Sequence, residues 1–180
     1  KKAKKIIPGG SHLFSKRPEV FLPGLWPSYF SKTKDCYVWS IDNKKYLDLS
    51  YMGVGTNILG YNNKTIDKAV LNAVKKGNLS TLNSPEEVLL AKKLVELTPW
   101  ADMVKFTRSG GEANAIALRI SRASSKRNKV LFSGYHGWHD WYLAANISKK
   151  NSLNNHLMNN VPINGVPKNL SKNVVSFKAN

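Results

Sequence analysis

The order of its elements predicts an α/β fold for this chain, and three observations carry that expectation. β-Prone apolar runs at Met103–Thr107 and Lys129–Phe132 bracket a helix-like stretch from about Glu112 to Ser124. Strand, helix, strand in that order builds a parallel pair with a right-handed crossover. Both runs end in glycine-containing turns, Ser109-Gly110-Gly111 and Gly134-Tyr135-His136-Gly137, at the strand end where α/β folds place their ligands. The composition, 42% hydrophobic and 10% aromatic, belongs to a chain that buries a core.

From Lys1 to about Phe30 the chain is rich in Pro, Gly and aromatics without a clear period, which reads as extended arm and loop. Cys36–Asp42 alternates Tyr37, Trp39 and Ile41 on one face, a strand. Asp42-Asn43 supplies a turn, and Tyr46–Leu49 returns as the second arm of a hairpin. Met52–Tyr61 is a glycine-rich connection whose glycines at 53, 55 and 60 miss the dinucleotide fingerprint, because its third glycine would fall at Ile58. Lys64–Lys76 is a helix with Ile66, Ala69, Val70, Ala73 and Val74 on one face and Gly77 at the left-handed C′ position. A second helix starts at Ser84-Pro85-Glu86-Glu87, with a hydroxyl at the N-cap, proline at N1 and glutamate at N3, and stops before Pro99. Asn151–Lys172 reads as a long surface loop and Val174–Phe177 as a further strand. There is no internal repeat and no heptad run.

The net charge of +17 raises a nucleic-acid reading. The charge is scattered in pairs such as Lys44-Lys45, Lys75-Lys76, Lys92-Lys93 and Lys149-Lys150. Scattered pairs mark solvated faces, and no aromatic-interleaved basic stripe appears, so nucleic-acid binding is the lesser reading. No apolar run reaches the roughly 18 residues of a membrane span. The start, KKAKKIIPGGSH, has a basic cluster without the apolar region of a secretory signal. It opens on Lys1, so the true start is expected to lie elsewhere. The single cysteine, Cys36, forms no internal disulfide and suits a reducing cytoplasm.

Ser109-Gly110-Gly111 offers backbone N–H groups, a hydroxyl and a helix dipole to one anion, a seat for a phosphate. By themselves these residues are better read as a tight strand-to-helix turn with no ligand. Tyr135 can lay its ring over that seat, or be a half-buried aromatic in a loop that also holds Trp138, Trp141 and Tyr142. His136 is read as a hydrogen-bonding partner there. His136, His139 and Asp140 lack any recognised metal-ligand spacing, so no metal site is assigned. Phosphate plus a flat ring suggests pyridoxal 5′-phosphate.

SGGEA at Ser109–Ala113 followed by GYHGWHD at Gly134–Asp140 resembles the class III pyridoxal-phosphate aminotransferases, especially the branch with glutamate-1-semialdehyde aminomutase. IPGG at Ile7–Gly10, VWSIDNKKYLDLS at Val38–Ser50, ILGY at Ile58–Tyr61 and the helix after Ser84 extend the resemblance almost end to end. It implies fold type I, a homodimer with its active site at the subunit interface, and transfer of an amino group between an amino donor and a keto or aldehyde acceptor. It also implies that Ser109, Gly110 and Gly111 hold the cofactor phosphate and that Tyr135 stacks on the pyridine ring. Residues 1–55 would be an arm and small-domain hairpin, and 56–180 the beginning of a large α/β domain.

Three departures accompany the resemblance. Gly111 stands where a hydroxyl residue is usual, so one phosphate donor is lost. Val54 stands where the aminomutase carries tryptophan, which argues against glutamate semialdehyde as substrate. The basic residue that meets substrate carboxylate there aligns loosely with Lys16 or Arg17. The aspartate that pairs with the pyridine nitrogen and the lysine that joins the cofactor fall beyond the matched region, so no catalytic residue is nominated and the chain alone is expected to be an inactive fragment. The competing class is a non-catalytic basic module that binds nucleic acid or phosphate on a related fold. Another phosphate-ligand enzyme is weaker still, because no Walker-type lysine follows the glycines.

Overall fold

The alternation of Tyr37 and Trp39 in a β-prone run organises the first part of the molecule. A computed structural model of the chain describes residues 2–77, 79–154, 156 and 159–178. They form two compact units, Lys1–Ser84 and Pro85–Asn180. In the first, a short helix α1 (Lys2–Ile6) is followed by single 3₁₀ turns at Pro8–Gly10, Phe14–Lys16 and Pro18–Val20. The amino-terminal segment is therefore wound locally rather than an extended arm. Prolines at 8 and 18 start two of the turns, positions where a missing N–H costs nothing.

Strands β1 (Phe30–Lys34), β2 (Tyr37–Ser40) and β3 (Lys45–Leu47) make an antiparallel meander. Lys34 pairs with Tyr37 across the Asp35-Cys36 turn, and Trp39 pairs with Lys45. β1 lies between the aperiodic segment that ends at about Phe30 and the predicted strand at Cys36, where no element was expected. β2 stops at Ser40, and Asn43 at φ 61° makes the predicted turn. Lys45 Nζ sits 3.7 Å from the Tyr37 ring centre, and Lys32 Nζ 4.8 Å from that of Trp39. Part of the surplus positive charge is thus spent on aromatic faces of the same chain.

The connection from β3 is tied down by Asp48. Its carboxylate accepts from the Ser50 N–H and hydroxyl at 2.9 and 2.6 Å and from the Tyr61 hydroxyl at 2.7 Å. Asp35 and Tyr61 exchange backbone hydrogen bonds at 2.9 and 2.8 Å. Gly60, at φ 89°, passes so close that an added Cβ would lie 3.2 Å from the Asp35 carbonyl oxygen. Helix α2 (Lys64–Lys76) starts where predicted, with the Asn63 side chain accepting from the N–H groups of Thr65 and Ile66. Gly77 ends it at φ 97°, ψ 120°, outside the left-handed helical well expected of it. The apolar face forms, yet Ile66, Val70 and Val74 remain 47%, 55% and 55% exposed.

The second unit begins with α3 (Pro85–Leu97), which starts at the predicted proline. Met103–Thr107 is not a strand. A β-prone run becomes a strand only when its N–H and C=O groups find a ladder, and no described segment pairs with this one. Helix α4 (Gly110–Ser125) follows, then β4 (Val130–Phe132). β4 pairs in parallel with β5 (Val174–Ser176), Val130 opposite Val174. The parallel pair thus joins the second and third predicted strands, not the first and second. Its crossover carries two short helices, α5 (Asp140–Leu143) and α6 (Ala145–Ser148).

The core of this unit is Phe132, Tyr142, Ala144, Ala145, Leu153, Val166 and Val174, with Trp141 and Leu170 packed against it. The Asn-rich segment 151–172 is therefore more than a surface loop, although 155, 157 and 158 lie outside the described residues. Leu153, Val161 and Val166 are buried from it without periodic spacing. The buried Asn146 donates to the Val161 carbonyl at 3.3 Å and accepts from the Leu153 N–H at 2.9 Å, so its amide is satisfied by the backbone it holds. Among the described residues no helix is long and apolar enough to cross a membrane.

Burial and the bond to Asp48 push the Tyr61 phenol up from 10.0 to about 12. A raised folded-state value contributes stability that is whole below pH about 10 and lost as pH climbs through about 12. Tyr61→Phe in the full-length protein is expected to flatten the fall in unfolding free energy over that alkaline window. Denaturant titrations at stepped pH measure it, and an unchanged slope counts against the Tyr61–Asp48 bond.

Candidate functional site

Helix α4 opens on two glycines. Ser109, at φ −149° and ψ 158°, is its N-cap, and its Oγ accepts from the Glu112 N–H at 3.3 Å. The Glu112 carboxylate reaches back to the Arg108 N–H at 2.9 Å, and the Thr107 hydroxyl donates to the Ser109 carbonyl at 3.0 Å. Serine at the N-cap with glutamate three residues on is a capping pair. The cap leaves the N–H groups of Gly110 and Gly111 without an acceptor among the described residues. Ser109 also keeps a hydroxyl hydrogen it can donate. A Cβ built on Gly110 meets nothing within 4 Å, so the turn is an open cradle of donors at the positive end of a helix.

The loop after β4 comes down on this cradle. Gly137, at φ 98°, approaches so closely that a Cβ on it would lie 3.1 Å from the Gly111 Cα. Asn114, on the second turn of α4, donates from its side chain to the His136 carbonyl at 3.3 Å. The far end of the loop is set by Phe132, whose ring meets His136, Trp141 and Tyr142 at centroid distances of 5.8, 5.5 and 5.3 Å. The loop therefore hangs between an aromatic core and the start of a helix.

Tyr135 stands on the outer side of that loop, 39% exposed, with its ring 5.1 Å from Trp138 and 5.8 Å from Tyr142. Partial burial pushes its phenol up, opposed by the hydrogen bond with Trp138. Burial, followed by the neighbouring Tyr135, raises the Tyr142 phenol to about 12. His136 has one nitrogen engaged, since Nε2 lies 2.8 Å from the Ser133 carbonyl and must donate to it. Only Nδ1 is left for a ligand. Among the described residues no group of three or more His, Cys, Asp or Glu is placed to hold a metal ion.

The structure brings Ser109, Gly110, Gly111, Tyr135 and His136 into one region of the second unit. The other candidates lie in the first unit. Lys16 and Val54 line the same open hollow of about 530 Å³, with Trp26, Asp48 and Tyr61. Arg17 is not on that hollow but lies across Gly9, where a Cβ would fall 2.3 Å from its Nε. Val54 holds φ 60°, a left-handed conformation rare for a β-branched residue.

The model of the class III aminotransferase family matches residues 25–178. This chain belongs to that family. It is 38% identical over 140 residues to the 3-aminobutyryl-CoA aminotransferase of Cloacimonas acidaminovorans, covering 77% of this chain and 33% of that protein. It is 33% identical over 180 residues to the glutamate-1-semialdehyde 2,1-aminomutase of Methanocaldococcus jannaschii, covering 99% and 40%. The crystal structure of an omega-transaminase from Sphaerobacter thermophilus superposes with a TM-score of 0.78 at 23% identity, covering 98% of this chain and 40% of that one. A transaminase solved with PLP bound gives 0.77 at 24%, covering 98% and 39%. These two likenesses establish the fold, of which the class III chain carries only part. It spans 33–40% of the length of the two relatives named.

Asn114 escaped the sequence reading as part of this candidate site, while Gly137 was read only as a turn residue and His139 only as a rejected metal ligand. Asn114 follows Gly110 by one helical turn, so its place on the same helix face was available in principle. What it touches was not. Asn114→Ala is expected to cost the full-length protein about 0.5–1.5 kcal/mol, the worth of one ordinary hydrogen bond. Chemical denaturation without ligand measures it, and an unaltered midpoint means the helix does not hold the loop through this bond.

Proposed function

We propose that the intact protein is a pyridoxal-phosphate-dependent enzyme that passes an amino group between an amino donor and a keto or aldehyde acceptor. The observation that carries this reading is the open cradle at the start of α4, where the N–H groups of Gly110 and Gly111 have no acceptor among the described residues and the loop that carries Tyr135 packs on Gly111 through Gly137. Family membership supports it. When bound, pyridoxal phosphate supplies an electron sink that stabilises negative charge on the carbon next to the transferred nitrogen.

The residues of this chain bind and orient. Gly110 and Gly111 N–H and the Ser109 hydroxyl take the phosphate oxygens, and α4 adds the positive end of its dipole. Tyr135 lays its ring on the pyridine face, buttressed by Trp138 and Tyr142. His136 contributes through Nδ1, its Nε2 being held by Ser133. Lys16 is the candidate for the substrate carboxylate, since it shares a hollow with Val54, and Val54 sets a small apolar wall there. Arg17, folded across Gly9, is the weaker candidate.

The reading extends to the intact molecule as a cytoplasmic homodimer, with the boundary at 55/56 separating arm and hairpin from the large domain. The lysine that joins the cofactor and the aspartate on the pyridine nitrogen belong, in this reading, outside the sequence matched here. Whether the amino group moves between two molecules or within one depends on residues supplied there.

Ser109→Ala in the intact enzyme removes a bond to a charged group, about 1.5–3 kcal/mol, or roughly ten- to a hundredfold in cofactor affinity. Equilibrium titration with the cofactor checks this, and unchanged affinity counts against the phosphate seat. Tyr135→Ala is expected to loosen the ring and shift the absorbance of the bound cofactor. An unaltered spectrum and affinity would make Tyr135 a purely structural aromatic.

A further inference from the structure

Gly111 stands where the family pattern leads one to expect a hydroxyl, and the structure supplies a physical reason. A Cβ built at Gly111 would lie 2.9 Å from His139 Nε2 and 3.0 Å from its Cδ2, so a side chain there requires the exposed imidazole to move aside. The imidazole of His139 occupies the space a side chain at 111 would take. The backbone brings the residue there: Gly137 lays the loop onto Gly111, and the His139 carbonyl accepts from the N–H groups of Tyr142 and Leu143 at 2.9 and 3.2 Å as α5 begins. Neither ring nitrogen has a hydrogen-bond partner among the described residues. An imidazole nitrogen without a partner among the described residues therefore stands over Gly111, in the first turn of the helix whose opening N–H groups are open.

We infer that His139 Nε2 is a phosphate ligand of the cofactor seat, a donor from the neighbouring loop that replaces the hydroxyl missing at Gly111. This rests on the reading of the α4 start as a phosphate seat. An imidazole N–H directed at a phosphate oxygen rewards a charged acceptor over a neutral one. His139 thus acts on the choice between the phosphorylated cofactor and its unphosphorylated analogue, and has no part in holding the ring. Gly111 and His139 form one unit, because a side chain at 111 and the imidazole compete for the same space.

The test titrates the full-length protein with pyridoxal phosphate and with pyridoxal, and compares the two dissociation constants. His139→Ala is expected to weaken binding of pyridoxal phosphate about tenfold, the effect of losing one charge-assisted hydrogen bond, and to leave pyridoxal binding unchanged. Gly111→Ser added to His139→Ala places a hydroxyl in the vacated space and is expected to restore most of the phosphate preference. Gly111→Ser alone crowds the imidazole and weakens binding. Should the alanine variant fail to fold, His139→Phe keeps a ring of similar volume without a donor and makes the same comparison. A folded His139 variant with an undiminished preference for pyridoxal phosphate, while Ser109→Ala loses it, overturns the inference and leaves the seat standing. If Ser109→Ala also keeps the preference, the seat itself is wrong and the inference falls with it.

Discussion

The contact between Gly137 and the first turn of α4 is the constraint on which the candidate site depends. Two stretches of backbone meet there with room for no side chain, since a Cβ on Gly137 would come 3.1 Å from the Gly111 Cα. The contact is possible because both partners are glycines, and Gly137 also takes a positive φ of 98°. It brings Tyr135, His136 and His139 to a helix start whose amide donors are unpaired. Displacing the loop from Gly111 would leave a capped helix and an aromatic loop with nothing between them.

The loop is held from its other end by packing. Phe132 is buried where β4 ends and presents its ring to His136, Trp141, Tyr142 and His156. Aromatic clusters of this kind have definite edge-to-face geometry as well as buried area, so they fix direction along with position. β5 closes the other side of β4, and the Phe177 N–H donates to the Phe132 carbonyl at 2.9 Å. Segments far apart in sequence therefore set the orientation of Tyr135, and a parallel strand pair is their common support.

Electrostatics sharpens the same picture. The capping pair at Ser109 and Glu112 turns the glutamate onto the Arg108 amide, so the acidic side chain satisfies the backbone behind the turn. The donors of Gly110 and Gly111 stay open for an anion in front of it. Elsewhere part of the positive charge is laid on aromatic rings, as Lys32 and Lys45 are on Trp39 and Tyr37. The proposed phosphate seat draws on the helix start and its open donors, not on the net charge.

Local chemistry was legible in the residues. α2 begins and ends where its apolar period and Gly77 placed it, α3 starts at Pro85, and α4 covers the expected stretch from Glu112 after opening two residues earlier, on the paired glycines. Caps and helical periods act within a few residues, so a sequence shows them directly. Readings that depended on a distant partner fared worse: Met103–Thr107 had strand composition and found no ladder, and residues 151–172 looked polar yet sent Leu153, Val161 and Val166 into the core. By itself the sequence determined the family and the starts of α2 and α3. Tertiary structure alone decided that Gly111 faces His139, that Asn114 holds the loop, and that Lys16 and Val54 share a hollow while Arg17 lies on Gly9. The physical reason is that these are contacts through space. Steric exclusion and hydrogen-bond reach act over a few ångströms, whatever the distance along the chain.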